Sequence, residues 1–180
     1  MIKSVKFRKD WRCFKEGELY EFRPGINLLV GDQGSGKSSL ISIFKGAIQN
    51  RDEVRRVAEI KGDQIELRIF DFEADNPRVK GHIEHVADVA MRFQAHGDCV
   101  LAVFDVIKDE STKKAFVLDE PDMALSVRSV YRVIETLKKT CHQVLAAVHN
   151  PLLIQAFPEV LSLEHKKWMT SEEFLESQKL

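Results

Sequence analysis

Gly31-Asp32-Gln33-Gly34-Ser35-Gly36-Lys37-Ser38-Ser39 (GDQGSGKSS, residues 31–39) is the stretch that decides the fold. It follows an apolar run, Ile26-Asn27-Leu28-Leu29-Val30. It opens a segment with Leu40, Ile41, Ile43, Phe44, Ala47 and Ile48 at helical spacing. The order predicts a strand, a glycine-rich loop and a helix. The stretch fits G-x-x-x-x-G-K-[ST] through Gly31, Gly36, Lys37 and Ser38. Glycines let the backbone curl until successive N–H groups face one point. The following helix aims its positive end at the same point. All nine residues are therefore expected to contact a nucleotide, with Lys37 reaching the β- and γ-phosphates and Ser38 ligating Mg²⁺.

Working outward, a second apolar run, Ala115-Phe116-Val117-Leu118, ends in Asp119-Glu120-Pro121. A buried strand tipped by two acids is costly unless the carboxylates have a task. Beside a phosphate loop, Asp119 is expected to hold Mg²⁺ and Glu120 to orient or deprotonate an attacking water. The bland alternative is a strand running into an acidic turn. A third run, Val144-Leu145-Ala146-Ala147-Val148, ends in His149. Ligands gather at the carboxyl ends of strands in open parallel sheets. The three strand ends are thus expected to meet, with His149 catalytic rather than structural.

Elsewhere the pattern is coarser. Residues 2–7 alternate as a strand, with 19–22 as partner and Pro24-Gly25 as the turn before the loop strand. Lys3, Lys6, Arg8, Lys9, Arg12 and Lys15 surround Trp11 and Phe14. They read either as basic groups near phosphates with aromatics that stack on a base, or as a solvated edge strand blunted by lysines. Residues 51–60 fit the end of a helix or a strand. Ile65, Leu67 and Ile69 alternate as a half-buried strand, joined to the preceding segment by a hairpin turn at Lys61-Gly62-Asp63. Asp71, Glu73 and Asp75 would share one strand face or sit in a solvated loop. A helix is expected over 82–94, with Ile83, Val86, Ala87, Ala90 and Phe93 as its stripe. It breaks at Ala95-His96-Gly97-Asp98 and resumes over 99–107; residues 108–114 read as a polar surface loop. In 122–139, Val127, Val130, Tyr131, Ile134 and Leu137 are the expected buried stripe.

Composition excludes little. With 180 residues, 44% hydrophobic and 31% charged, the chain is ordinary for one globular domain. A net charge of −1 offers no global attraction to nucleic acid. No apolar run approaches a membrane span, and the first residues lack the apolar core of a signal peptide. Cys13, Cys99 and Cys141 are scattered and read as free thiols of a reducing compartment, which places the chain in the cytoplasm.

The ordered set GDQGSGKS, VLDEPDMALS and AAVHNP resembles the ABC-type ATPases. It is most similar to their soluble branch related to SMC and RecF proteins, and to the small bacterial and phage "AAA family ATPases" with ABC-like motifs. The resemblance covers nearly the whole chain. It implies an α/β P-loop NTPase fold with a mostly parallel central sheet, a small antiparallel β part from the N-terminus and residues 54–72, and a reduced helical signature lobe. One domain over 1–180 is expected. Its β part and phosphate loop fall in 1–80, its helical signature region in 81–110, and the Walker B strand, switch-histidine strand and tail in 111–180. By the same resemblance, residues 31–39 match Walker A, Asp119 the Walker B acid, Glu120 the catalytic glutamate, DMALS the D-loop and His149 the switch histidine. Residues 160–163 and EHKKW resemble the closing strand and tail. The LSGGQ signature is absent; His96, Gly97 and Asp98 stand in its place. They would offer a helix N-terminus to the nucleotide of an opposite subunit, or form a plain helix break. The Q-loop glutamine is missing too, with FDFE in its region and Asp71 or Glu73 as substitutes for metal contact.

The function this implies is hydrolysis of ATP with Mg²⁺ in a head-to-tail homodimer. The dimer would be a switch or motor in a DNA-related or defence-related process, in a bacterial or phage-infected cytosol. Partners would be a second copy and DNA or a DNA-processing protein, with no membrane. Without the signature and the Q-loop, a transporter subunit fits less well. A P-loop kinase and a nucleotide-gated module with negligible turnover are the other readings; phosphate transfer to an added nucleoside would mark the kinase.

Overall fold

The structure, a computed structural model, describes residues 1–72 and 96–179. The expected helix over 82–94 and the acids Glu73 and Asp75 lie outside the described residues.

Two sheets carry the described residues. β1 (Ile2–Phe7) lies between β2 (Leu19–Glu21) and β4 (Ala58–Gly62) in a three-stranded antiparallel sheet. The second sheet has six strands in the order β5-β6-β7-β3-β8-β9. These are β3 (Ile26–Val30), β5 (Leu67–Asp71), β6 (Ala115–Asp119), β7 (Gln143–Ala147), β8 (Glu159–Ser162) and β9 (Lys167–Thr170). All pairs are parallel except the closing hairpin of β8 with β9. β6 and β7 are buried at every position. That is why they read as unbroken apolar runs: helices cover both faces of a parallel sheet.

One face packs on α1 (Lys37–Ile48) and the antiparallel sheet, through Leu29, Leu40, Phe44, Val117 and Leu145. The other packs on α3 (His96–Asp109), α4 (Val127–Lys139), α5 (Pro151–Gln155) and α6 (Ser171–Ser177), through Val30, Phe104, Phe116, Ile134 and Leu153. A short α2 (Asp52–Val57) leads into β4, so residues 51–60 are a helix and then a strand.

Three expectations are corrected. Lys61-Gly62-Asp63 is no hairpin turn: β4 ends in the antiparallel sheet, and β5 crosses to become the parallel edge strand beside β6. The antiparallel part therefore stops at residue 62. On α4, Val127 and Tyr131 are 61% and 55% exposed, and Val133 takes their place in the core. The sheet covers a narrower arc of this helix than the apolar pattern suggests. Finally, Lys114 is no solvated loop residue. It is 6% exposed and bonded to Glu110 at 2.8 Å and Glu66 at 2.9 Å.

Candidate functional site

The loop between β3 and α1 is forced by its glycines. Gly36 has φ 102°, and a Cβ there would lie 2.5 Å from Cys13 Sγ and 2.9 Å from Phe14 Cζ. The β1–β2 connection thus packs directly under the last turn of the loop. α1 begins without a side-chain cap or an acid in its first turn, so its first amides remain available to an anion. Lys37 is 6% exposed and folds its ammonium onto the loop, donating to the Gly31 carbonyl at 2.6 Å, the Asp32 carbonyl at 3.0 Å and Ser35 Oγ at 3.4 Å. Burial lowers its pKa, against the pull of Glu120, Asp32, Asp119 and Asp122.

The acids of the next strand meet this loop. Ser38 Oγ donates to Asp119 Oδ1 at 3.1 Å. Asp119 is 6% exposed, and its carboxyl is pushed up to about 6, chiefly by burial. The Ser38 hydrogen bond works against that rise, and the charges of Asp71 and Glu120 add to it. Glu120 turns out of the strand at φ 55°, an uncommon value for a non-glycine residue, and its N–H donates to the Ala147 carbonyl at 3.1 Å. That turn aims its carboxylate along the sheet edge to within 3.6 Å of His149 Nε2. The expected convergence of the three strand ends is therefore present. Glu120 and His149 also border a cavity of about 370 Å³, lined as well by Gly31, Asp32, Gln33, Ile154 and Phe174.

Asp122, the first residue of the D-loop-like DMALS segment, has a role in the site that the motif alone did not assign. It is 8% exposed, and its Oδ2 accepts from the backbone N–H groups of His149 at 2.6 Å and Asn150 at 2.5 Å. It pins the turn that presents His149. The acid three residues beyond Asp119 was visible, but its partners lie 27 and 28 residues away.

The remaining candidates fall less centrally. Gly97 lies in the first turn of α3, and a Cβ there would sit 3.2 Å from the Ala124 carbonyl. The signature-like segment thus rests on the DMALS loop of its own chain, with Asp98 exposed beside it in the same turn. An acid there satisfies the helix end itself and competes with a second anion. Phe14 is 1% exposed, with its ring stacked on Phe7 at 4.2 Å, so it has no face left for a base. Trp11 is half-buried and carries the Arg12 guanidinium 4.5 Å above its ring. Arg12 also donates to Ser39 Oγ at 3.1 Å. The N-terminal basic cluster is partly neutralised: Lys3 pairs with Asp63, Arg8 with Glu59 and Lys15 with Asp10.

A family profile described as an AAA domain matches residues 9–144, well over half of the chain. No curated protein matches the sequence. Among solved structures, the chain is similar to a bacterial Atm1-family ABC exporter with ATP bound, at TM-score 0.58 and 14% identity, covering 100% of this chain. It spans only 41% of that exporter chain. The SMC head domain from Thermotoga maritima matches at TM-score 0.57 and 14% identity, over 89% of this chain and 94% of the other. cbiO1 from Clostridium perfringens, part of the ABC transporter complex cbiONQ, matches at 0.54 and 14%, over 91% and 84%. At such identity the likeness is one of fold. Among the described residues no helix is long and apolar enough to cross a membrane. The chain belongs to the AAA domain family and has the α/β P-loop fold seen in ABC ATPases and SMC heads.

Proposed function

We propose that this chain is an Mg²⁺-dependent ATPase that closes into a head-to-tail homodimer around ATP and opens on hydrolysis. The observation that carries the reading is the meeting of strand ends: Ser38 on Asp119 at 3.1 Å, and Glu120 on His149 at 3.6 Å, both beside the Lys37 loop. The donor set suits the ion, because Mg²⁺ prefers hard oxygens from one or two carboxylates together with phosphate oxygens. Ser38 and Asp119 would hold it, and it would neutralise charge on the transferring phosphoryl group.

The chain's own residues do the rest. Backbone amides of residues 34–38 cradle the phosphates, and Lys37 places its charge at the β- and γ-phosphates. Glu120 orients the attacking water or takes its proton, and the 10²- to 10⁴-fold effect typical of a positioned base sets the scale. His149, fixed through its backbone by Asp122, holds Glu120 and faces the same space. Residues 1–180 act as one ATPase domain in this reading. Trp11 is the surface on which the base stacks, and His96, Gly97 and Asp98 are the surface turned to the second copy. The output acts on DNA, a DNA-processing protein or a defence partner in the cytosol.

The test is the Glu120→Gln variant on a sizing column with light scattering. It is expected to be a monomer alone and a stable dimer with Mg·ATP, while the unsubstituted chain releases phosphate. Tight ATP binding without dimerisation overturns the homodimer; no ATP binding overturns the whole reading.

A further inference from the structure

α4 carries a wider apolar arc than the fold uses. Val130, Val133, Ile134 and Leu137 turn to the sheet, whereas Val127 and Tyr131 are the two most exposed large apolar side chains among the described residues. They lie four residues apart, one turn along the same flank of the helix. Lys138 continues that flank seven residues beyond Tyr131, and its ammonium lies 5.9 Å from the centroid of the Phe157 ring. The flank therefore faces the α5 side of the molecule, where Leu152 is exposed in the first turn. Single exposed apolar residues are ordinary, but neighbouring ones framed by charge mark a contact surface. Here the charge is nearly all of one sign. α4 holds Arg128, Arg132, Lys138 and Lys139 against Glu135 alone, in a chain of net charge −1. Glu135 is paired with Lys139 at 3.8 Å. Arg128 and Arg132 have no ion pair among the described residues. Arg128 moreover sits in the first turn of α4, where no acid answers it and the helix dipole opposes a cation.

We propose that this flank of α4 docks an acidic segment of a partner protein, whose apolar side chains cover Val127 and Tyr131 and whose carboxylates meet Arg128 and Arg132. Tyr and Arg are among the residue types that carry binding energy at protein interfaces. A carboxylate beside the start of α4 gains from Arg128 and from the helix dipole together. A second copy fits less well. About a two-fold axis the patch would meet itself, and the basic helices of both copies would be brought together. Nucleic acid also fits less well, because an apolar centre with two unanswered arginines supplies few phosphate contacts. Val127 follows directly on the DMALS loop, so the partner would sit near the turn that Asp122 pins at His149.

The experiment uses the full chain without nucleotide, so its outcome does not depend on the ATPase reading. The chain is panned against a display library of random short peptides, and enriched peptides are synthesised and titrated by fluorescence anisotropy. Enriched sequences are expected to combine Asp or Glu with Leu, Phe or Trp. Tyr131→Ser should weaken their binding about tenfold or more. Arg132→Glu should weaken it about tenfold, and exchanging the peptide's acids for lysines should restore binding to that variant. Both positions are exposed, so melting curves should match that of the unsubstituted chain. Ile48→Ser, which removes an exposed apolar residue at the end of α1, should leave peptide affinity unchanged. A library that yields no binder, enriched peptides without acids, or equal affinity in Tyr131→Ser and Arg132→Glu overturns the proposal. Self-association on a sizing column that Tyr131→Ser abolishes would give the flank to a second copy. Binding of labelled duplex DNA that Arg132→Glu abolishes would give it to nucleic acid. Either result overturns the assignment to a partner protein.

Discussion

β5 and β6 carry charged residues at both ends, and the two ends behave in opposite ways. At the amino end, Lys114 sits between Glu110 and Glu66, and Arg68 bonds Glu66 at 2.9 Å. Donors and acceptors match there. Hydrogen bonds from Lys114 and Thr112 hold the Glu110 carboxyl down at about 2. At the carboxyl end, Asp71, Asp119 and Glu120 crowd together, and burial lifts Asp119 to about 6. The same pair of strands is thus satisfied at one end and under electrostatic strain at the other. Lys37 and Lys45 answer part of that charge, yet burial still raises the Asp119 carboxyl, because nearby cations offset only part of the cost of desolvation.

Substitutions can break that contrast, and the largest effect belongs to the strained end. Glu120→Gln is expected to cut phosphate release by at least about a hundredfold while leaving the melting temperature close to its original value, as a phosphate assay and a thermal melt would show. At the satisfied end, Lys114→Met should do the reverse. It removes the buried cation that Glu110 and Glu66 share, leaving Arg68 to pair with both, and lowers the melting temperature by several degrees, with nucleotide affinity unchanged. Its pH dependence follows from the lowered Glu110 pKa. The contribution is present above about pH 4.5 and is lost as pH falls toward about 2, so acid-unfolding curves of Lys114→Met and the unsubstituted chain should converge there.

Asp119→Asn gives a smaller effect of opposite sign. The folded carboxyl titrates at about 6 against an ordinary value of 3.8, so the folded chain binds the extra proton between those values. Stability of the metal-free protein therefore falls as pH rises through that window, and the cost is complete above about pH 6. Replacing the acid should add on the order of 1–2 kcal/mol at pH 7.5 and nothing below about pH 4. Denaturant melts at the two pH values check it; equal effects at both would remove the strain from the comparison. The smallest effect is expected for Glu66→Gln, whose side chain is 56% exposed. It should move the melting temperature by about a degree or less.

The sequence by itself determined whatever depends on neighbours in the chain. A phosphate loop is built from consecutive amides, so glycines at 31, 34 and 36 followed by Lys37 and Ser38 declare it without any tertiary partner. Strands buried on both faces, such as β6 and β7, declare themselves as apolar runs, and the polar residues at their ends mark the edge where ligands collect. Only the tertiary structure decided which distant residues share that edge. β5 looked like the second arm of a hairpin, because alternation reports a strand but not the sheet it joins. Placing it beside β6 is what sets Asp71 against Asp119 and within reach of Lys45. The sequence marks Asp122 only as the first residue of the D-loop-like DMALS segment; the fold brings the His149 turn over it. Phe14 had the composition of a base-stacking aromatic, yet the hairpin turned it under Gly36 and against Phe7. The physical reason is common to all three: hydrogen-bond, charge and ring partners are chosen by the packing of elements far apart in sequence, and residue type alone leaves those partners unspecified.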